Sequence, residues 1–321
     1  MAKVTQAPDQ LTRTSRRGLS GDTLFGGITW TAGLGIVILT ILFVGELLRQ
    51  SQLGIQTFGW GFITSTDWDP IAEKFGALPY IYGTVVSSLI AVVLGGTVGI
   101  GTAIFLVEFC PRRLRGPVAG LIELLAAIPS VVYGFWGIAV LAPWFARTVE
   151  PFLRSTLGFL PLFQGPAFGV GMLAAGFILA IMILPTVSAV SRDVIAAVPP
   201  EQRQGMLALG ATRWETIARV ILPYARTGIV GALILGLGRA LGETIAATML
   251  IGNNPQIKAS LFAPAATMAT VIANQFNEAT SNLQVSVLIE LGLLLFVLTF
   301  LVNVGAQVLI SYMDRKMGDA R

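Results

Sequence analysis

Apolar and polar positions fall into long blocks along this chain, not into the alternation that marks half-buried helices or strands. Six blocks carry few charges: residues 26–48, 82–107, 116–142, 168–191, 226–252 and 285–310. Each is long enough to cross a hydrocarbon layer about 30 Å thick. Lipid gives the backbone no hydrogen-bond partner, so each is expected to be helical. The pattern predicts an all-α polytopic membrane protein with six transmembrane helices. Residues 1–25, polar and without periodicity, read as a flexible cytoplasmic tail, 49–81 as an extracytoplasmic segment partly along the interface, and 312–321 as a second cytoplasmic tail. Arg13, Arg16 and Arg17 ahead of the first block imitate a secretory signal. The block nevertheless runs past about 20 residues, and no small-residue cleavage site comes after "ELLRQSQ", so it is read as a retained anchor.

Interruptions within the pattern carry further information. In "VVLGGTVGIGTAIF", Gly95 and Gly99 stand at the spacing that lets a second helix backbone approach. Pro129, inside "ELLAAIPSVVYGFWG", removes a backbone hydrogen bond and is expected to bend or break the third helix, with Ser130 placed to satisfy a freed carbonyl. Glu108, Glu123 and Glu290 lie near block ends, within reach of the interface. The longest cytoplasmic loop, about 192–224, has its own order. After Pro199 and Pro200 a helix-compatible run from Glu201 to Leu209 meets Gly210, suited to the left-handed position that ends a helix. Thr212 and Glu215 then form a T-x-x-E capping box ahead of Ile217, Val220 and Ile221, a run expected to stop at Pro223.

Composition narrows the class. Of 321 residues 54% are hydrophobic and 12% charged, against the roughly 25% charged residues of soluble domains. Fifteen Lys and Arg fall in the N-terminus and the 112–115, 192–226 and 315–321 segments, and five in the intervening loops. Basic residues are retained on the cytoplasmic side, so both termini are predicted to be cytoplasmic. The net charge of +4 reflects this topology and gives no reason to expect a nucleic-acid partner. The absence of His excludes HExxH zinc sites, Ser-His dyads and histidine proton relays. One cysteine, Cys110, excludes an internal disulfide. No lysine stands after a Gly-rich loop, so any nucleotide hydrolysis belongs to another chain. No catalytic residue, metal site or resident cofactor is assigned, and the chain is expected not to be an enzyme. No internal repeat supports the duplicated halves of many secondary transporters.

Gln204-Gly205-Met206, three residues, Gly210, nine residues, Val220 and then Leu222-Pro223 together resemble the EAA loop of type I ABC importer permeases, the MetI-like family. Gln, Gly and Met replace the usual Glu-Ala-Ala, and Val220 stands at the usual Ile. The resemblance implies that the first loop helix docks on an ATPase, with Glu201, Gln204, Gly205, Met206, Gly210, Leu222 and Pro223 as coupling residues and Glu201 as the substitute anion for uncharged Gln204. "LPYARTGIVGALILGLGRALGETIAATMLIGN" and "SLFAPAATMATVIANQF" are similar to the phosphate-specific Pst permeases, the first to the PstC family in particular. This resemblance implies an importer transmembrane domain over 82–311 in a bacterial inner membrane. Its implied partners are a PstA-like second permease, a PstB-like ATPase dimer using ATP, a PstS-like periplasmic phosphate-binding protein meeting the 253–284 loop, and membrane lipid. "ATMATVIANQF" suits a short amphipathic helix there.

Arg239 and Glu243 are the only charges between Thr227 and Leu250. On one continuous helix, Gly228, Ala232, Gly236, Arg239 and Glu243 share an arc of about 80°, which would face protein. A lone charge at a helix centre costs roughly 2.5–3.5 kcal/mol, and pairing at i,i+4 would relieve it. One reading is a brace between helices. The other, with the Pst resemblance behind it, is a transport pathway in which Arg239 offers its guanidinium to passing phosphate and Glu243 holds it otherwise. Three alternatives stay open: an ion-coupled secondary transporter with Glu243 as proton carrier, an ABC permease for sulfate or molybdate, and a structural scaffold.

Overall fold

Helices form in every apolar block, and two of the six blocks are broken, in a computed structural model that describes residues 21–318. Two units are distinguished. The first, up to Glu46, contains most of α1 (Gly21–Gln50). Phe25, Trp30 and Leu42 are exposed on different faces of this helix, as suits a helix solvated by lipid and not one with a single buried stripe. The hydroxyls of Thr29, Thr31 and Thr40 donate to carbonyls of their own helix, which satisfies them without water. The first 20 residues of the predicted tail lie outside the described residues, and Gly21 onward is already helical.

The second unit holds the remaining elements: α2 (Gln52–Phe58), α3 (Gly61–Thr64), the antiparallel pair β1 (Trp68–Asp69) and β2 (Lys74–Phe75), α4 (Leu78–Phe109), α5 (Arg112–Ala127), α6 (Ser130–Leu157), α7 (Met172–Ala196), α8 (Pro200–Ala208), α9 (Arg213–Gly242), α10 (Ile245–Leu250), α11 (Met268–Gln275) and α12 (Asn282–Gly318). Among the described residues five helices are long and apolar enough to cross a membrane, and α5 with α6, bent by 90°, makes a sixth if taken as one span.

Small residues set the central contact. A Cβ at Gly95 of α4 would stand 2.6 Å from the Ala180 carbonyl oxygen of α7, one at Gly99 3.1 Å from Val187, and one at Gly176 of α7 2.5 Å from Ile90 of α4. The expected close approach at Gly95 and Gly99 is therefore present, with α7 as its partner. On α9, Gly228 and Gly236 abut Val194 and Val187 in the same way. Ile178, Leu179 and Ile183 of α7 sit at the middle of the main core with Leu141, Phe145 and Met172.

The 51–77 segment is a packed cap. Trp68 lies edge-on to Phe75 and Tyr80 at 5.0 and 4.7 Å between centroids, and its indole N–H donates to Gln275 at 3.0 Å. That bond lets the indole turn inward. Phe62, Phe75 and Tyr80 are buried against Val287, Leu288 and Leu291 of α12. The 253–284 loop folds back as well: α11 starts at a Thr267/Thr270 capping box, and Met268 N–H donates to the Thr84 hydroxyl. At the other end α12 runs to Gly318, where a tail from 312 was expected; Arg, Lys and Met continue a helix readily.

Candidate functional site

The third apolar block breaks at Ile128 and Pro129, both in extended conformation. Pro129 has no N–H to give the carbonyl four residues earlier, that of Leu125. The Tyr133 hydroxyl donates to this carbonyl at 2.7 Å. Tyr133, buried and one turn into α6, thus does what the sequence assigned to Ser130. Of the bend or break expected at Pro129, the structure shows a break, with 90° between α5 and α6.

The fifth block breaks too, against the expectation of one continuous helix. α9 ends at Gly242, Glu243 is extended (ψ 127°), and α10 begins at Ile245. Gly242 has poor helix propensity, and the Glu243 carboxylate accepts from the Ala246 N–H at 3.4 Å, covering an orphan donor of α10. Arg239 and Glu243 are consequently not helical i,i+4 neighbours. Among the described residues no ion pair within 4 Å joins them. Their shared facing also needs correction. Ala225, Ala232, Gly236 and Ala240 form the buried edge of α9, whereas Leu235, Arg239 and Gly242 are exposed on the open side of the chain. The predicted arc is centred too close to Arg239, and the boundary of the buried face falls between it and Gly236.

The two breaks adjoin. Gly134 of α6 faces Met249 and Ala246 of α10, where a Cβ would lie 3.4 Å from the Ala246 Cα, and Gly137 faces Leu250. Arg239 lies within electrostatic reach of the Tyr133 hydroxyl. Among the described residues the Arg239 guanidinium has no ion-pair or hydrogen-bond partner, and it stands on an open face beside two interrupted helices, an arrangement that membrane proteins use where backbone dipoles and a charge meet a polar solute.

The 192–224 loop keeps to its predicted plan with one change. α8 covers Pro200–Ala208, Gly210 takes φ +86°, and Ala211 N–H reaches back to the Met206 carbonyl at 3.2 Å. Thr212 and Glu215 form the capping box, at 3.2 Å (Glu215 N–H to Thr212 Oγ1) and 2.8 Å (Thr212 N–H to Glu215 Oε2). Pro223 does not stop the second helix. A π-helical turn at Ile217–Ile221 widens the backbone ahead of it, and the helix continues to Gly242. Gly205, Met206 and Pro223 come together with Gln202, Leu209, Arg219, Val220 and Tyr224 around a cleft of about 500 Å³. Glu201, Gln204 and Gly210 are exposed outside its lining, and Leu222 packs against the core around Ile217, Ile221 and Ala225. Leu209 and Trp214, 85% and 65% exposed, extend the apolar surface of the loop. Their only sequence signal is a pair of apolar residues flanking the helix junction, which the motif spacing passes over.

Two ion pairs also lie beyond the sequence expectations. Arg203 of α8 donates to Glu108 at the end of α4, and Arg192 of α7 to Glu123 of α5 at 3.0 Å. Glu108 and Glu123 are thus partners of arginines and not simply groups reaching an interface. Glu290 is buried beside Gly54.

Comparison with known proteins completes the site. Residues 95–319 match the family described as binding-protein-dependent transport system inner membrane component. The chain is 45% identical over 309 residues to the phosphate transport system permease protein PstC of Mesorhizobium japonicum, covering 95% of this chain and 94% of the relative. It is 44% identical to that of Haemophilus influenzae, covering 92% and 95%. Among solved structures it shares its fold with a chain of a bacterial ABC transporter involved in import of the acidic polysaccharide alginate (TM-score 0.61, 17% identity, 92% of this chain and 98% of that one). A chain of the inward-facing MetNI methionine ABC transporter matches at TM-score 0.54 and 16% identity, over 73% of this chain and 94% of that one. These matches, over a polytopic helical chain with an EAA-like loop, show that the chain belongs to the inner-membrane components of binding-protein-dependent transport systems, within the family of PstC permease proteins.

Proposed function

We propose that this chain is the permease subunit of an ATP-driven phosphate importer, passing inorganic phosphate from an external binding protein to the cytoplasm while a separate chain hydrolyses ATP. The observation behind this reading is the free Arg239 on the open face where α6 and α10 meet, in a chain 45% identical to a phosphate permease. A guanidinium presents a planar fork that matches two phosphate oxygens. Glu243, held at the start of α10, keeps the net charge of the site near zero, so that phosphate is held weakly and released. The open face of α9 carrying Leu235 and Arg239 is then the side that a PstA-like permease covers. A PstB-like ATPase dimer docks at α8 and the cleft beside it, and a PstS-like binding protein docks at the opposite end, with both termini cytoplasmic.

The experiment is reconstitution with the second permease, ATPase and binding protein in vesicles. Phosphate uptake that requires ATP supports the importer. Uptake by this chain alone, driven by a pH gradient without ATP, would establish the secondary transporter instead, and selective sulfate or molybdate uptake would change the substrate.

A further inference from the structure

Arg203 reaches inward from α8 to two membrane helices at once. Its Nη1 donates to Glu108 Oε1 at 2.5 Å and its Nη2 to the Ile195 carbonyl at 2.5 Å. Glu108 lies in the last turn of α4, and Ile195 is the penultimate residue of α7. These are the two helices locked together by Gly95, Gly99 and Gly176. The Ile195 carbonyl accepts from the Val198 N–H at 3.3 Å, Pro199, four residues on, has no N–H to offer it, and Arg203 supplies it a charged donor. Arg203 and Glu108 side chains are 21% and 18% exposed, so water competes weakly for either bond.

We infer that Arg203 is the positioning residue that transmits displacement of α8 to the α4–α7 pair. The inference rests on the importer reading. Both acceptors are gripped by one planar group whose two donors cannot rotate independently. A shift of α8 therefore moves the ends of both helices together or breaks two charge-assisted bonds in a half-buried setting. A lysine, with a single point charge, or any uncharged side chain lacks this fork. The EAA-like triplet Gln204-Gly205-Met206 carries no charge of its own and is exposed or half-exposed, and Arg203 beside it makes the ionic link from α8 to α4. Because its guanidinium is engaged internally, Arg203 is not a docking group for the ATPase.

The test uses the complete reconstituted complex with Arg203→Met and Glu108→Gln, measuring phosphate uptake and ATP hydrolysis in the same vesicles. Expected are unchanged subunit assembly and ATP hydrolysis, with uptake per ATP reduced about three- to tenfold. The double variant should be no worse than the worse single one, since both remove the same link. Unchanged uptake per ATP in both variants overturns the inference. Failure of both to assemble overturns it too, because Arg203 would then be a staple only. A wild-type complex lacking ATP-driven phosphate uptake refutes the importer reading instead, and does so before any variant is measured.

Discussion

Replacing Tyr133 by Phe isolates the bond that closes the break in the third apolar block. The substitution keeps the ring, buried to 7% exposure, and removes only the hydroxyl that donates to the Leu125 carbonyl at 2.7 Å. That carbonyl cannot turn to Pro129, which has no N–H. The acceptor is part-buried, so the loss should be about 1 kcal/mol, larger than for a bond that water replaces freely. For a chain of this size each kcal/mol shifts the melting midpoint by roughly 2–4 °C or less. The assay is the thermal midpoint of the purified protein in one detergent at one scan rate, since unfolding of such a protein is governed by rate. Tyr82→Phe is the internal control: its hydroxyl donates to the Lys258 carbonyl at 2.9 Å but is exposed, so water replaces it and the midpoint should hardly move. Equal shifts for the two variants, or none for Tyr133→Phe, would refute the role given to the Tyr133 hydroxyl.

Gly95→Leu should disrupt the α4–α7 contact, because even a Cβ there falls 2.6 Å from a backbone oxygen. The overpacking cost is about 1–3 kcal/mol or more, checked by the yield of folded protein in membranes and its midpoint in detergent. Thr212→Ala removes the acceptor of the capping box and should weaken the first turn of α9 by about 1 kcal/mol, read as faster amide exchange at Glu215 with the α4–α7 core unchanged.

Much of the architecture is written in the block pattern, because a hydrocarbon layer imposes both length and helicity on anything that crosses it. Gly95 and Gly99 announce their contact through spacing alone, and Pro199, Gly210, Thr212 and Glu215 mark the ends of their loop helices to within a residue. The break at Gly242–Thr244 is not legible. A Gly, a Glu and a Thr in an apolar block are compatible with a continuous helix, whereas in the structure the Glu243 carboxylate accepts from the Ala246 N–H and starts a new helix. Pro223 misleads for the opposite reason, since a wide turn at Ile217–Ile221 absorbs the proline. The Arg203–Glu108 pair spans 95 positions, and no local periodicity reports a contact at that separation. Arg239 itself stands out in the sequence as a charge out of place; which way it points required the packing of α7 against α9.

Arg239→Ala in the reconstituted complex bears most directly on the proposed pathway. With assembly verified, phosphate uptake should be lost while ATP hydrolysis by the coupled ATPase persists, because the variant lacks the cation on the open face but keeps α8 and its cleft. Phosphate uptake at the wild-type rate in that variant would contradict the assignment of Arg239 to the pathway.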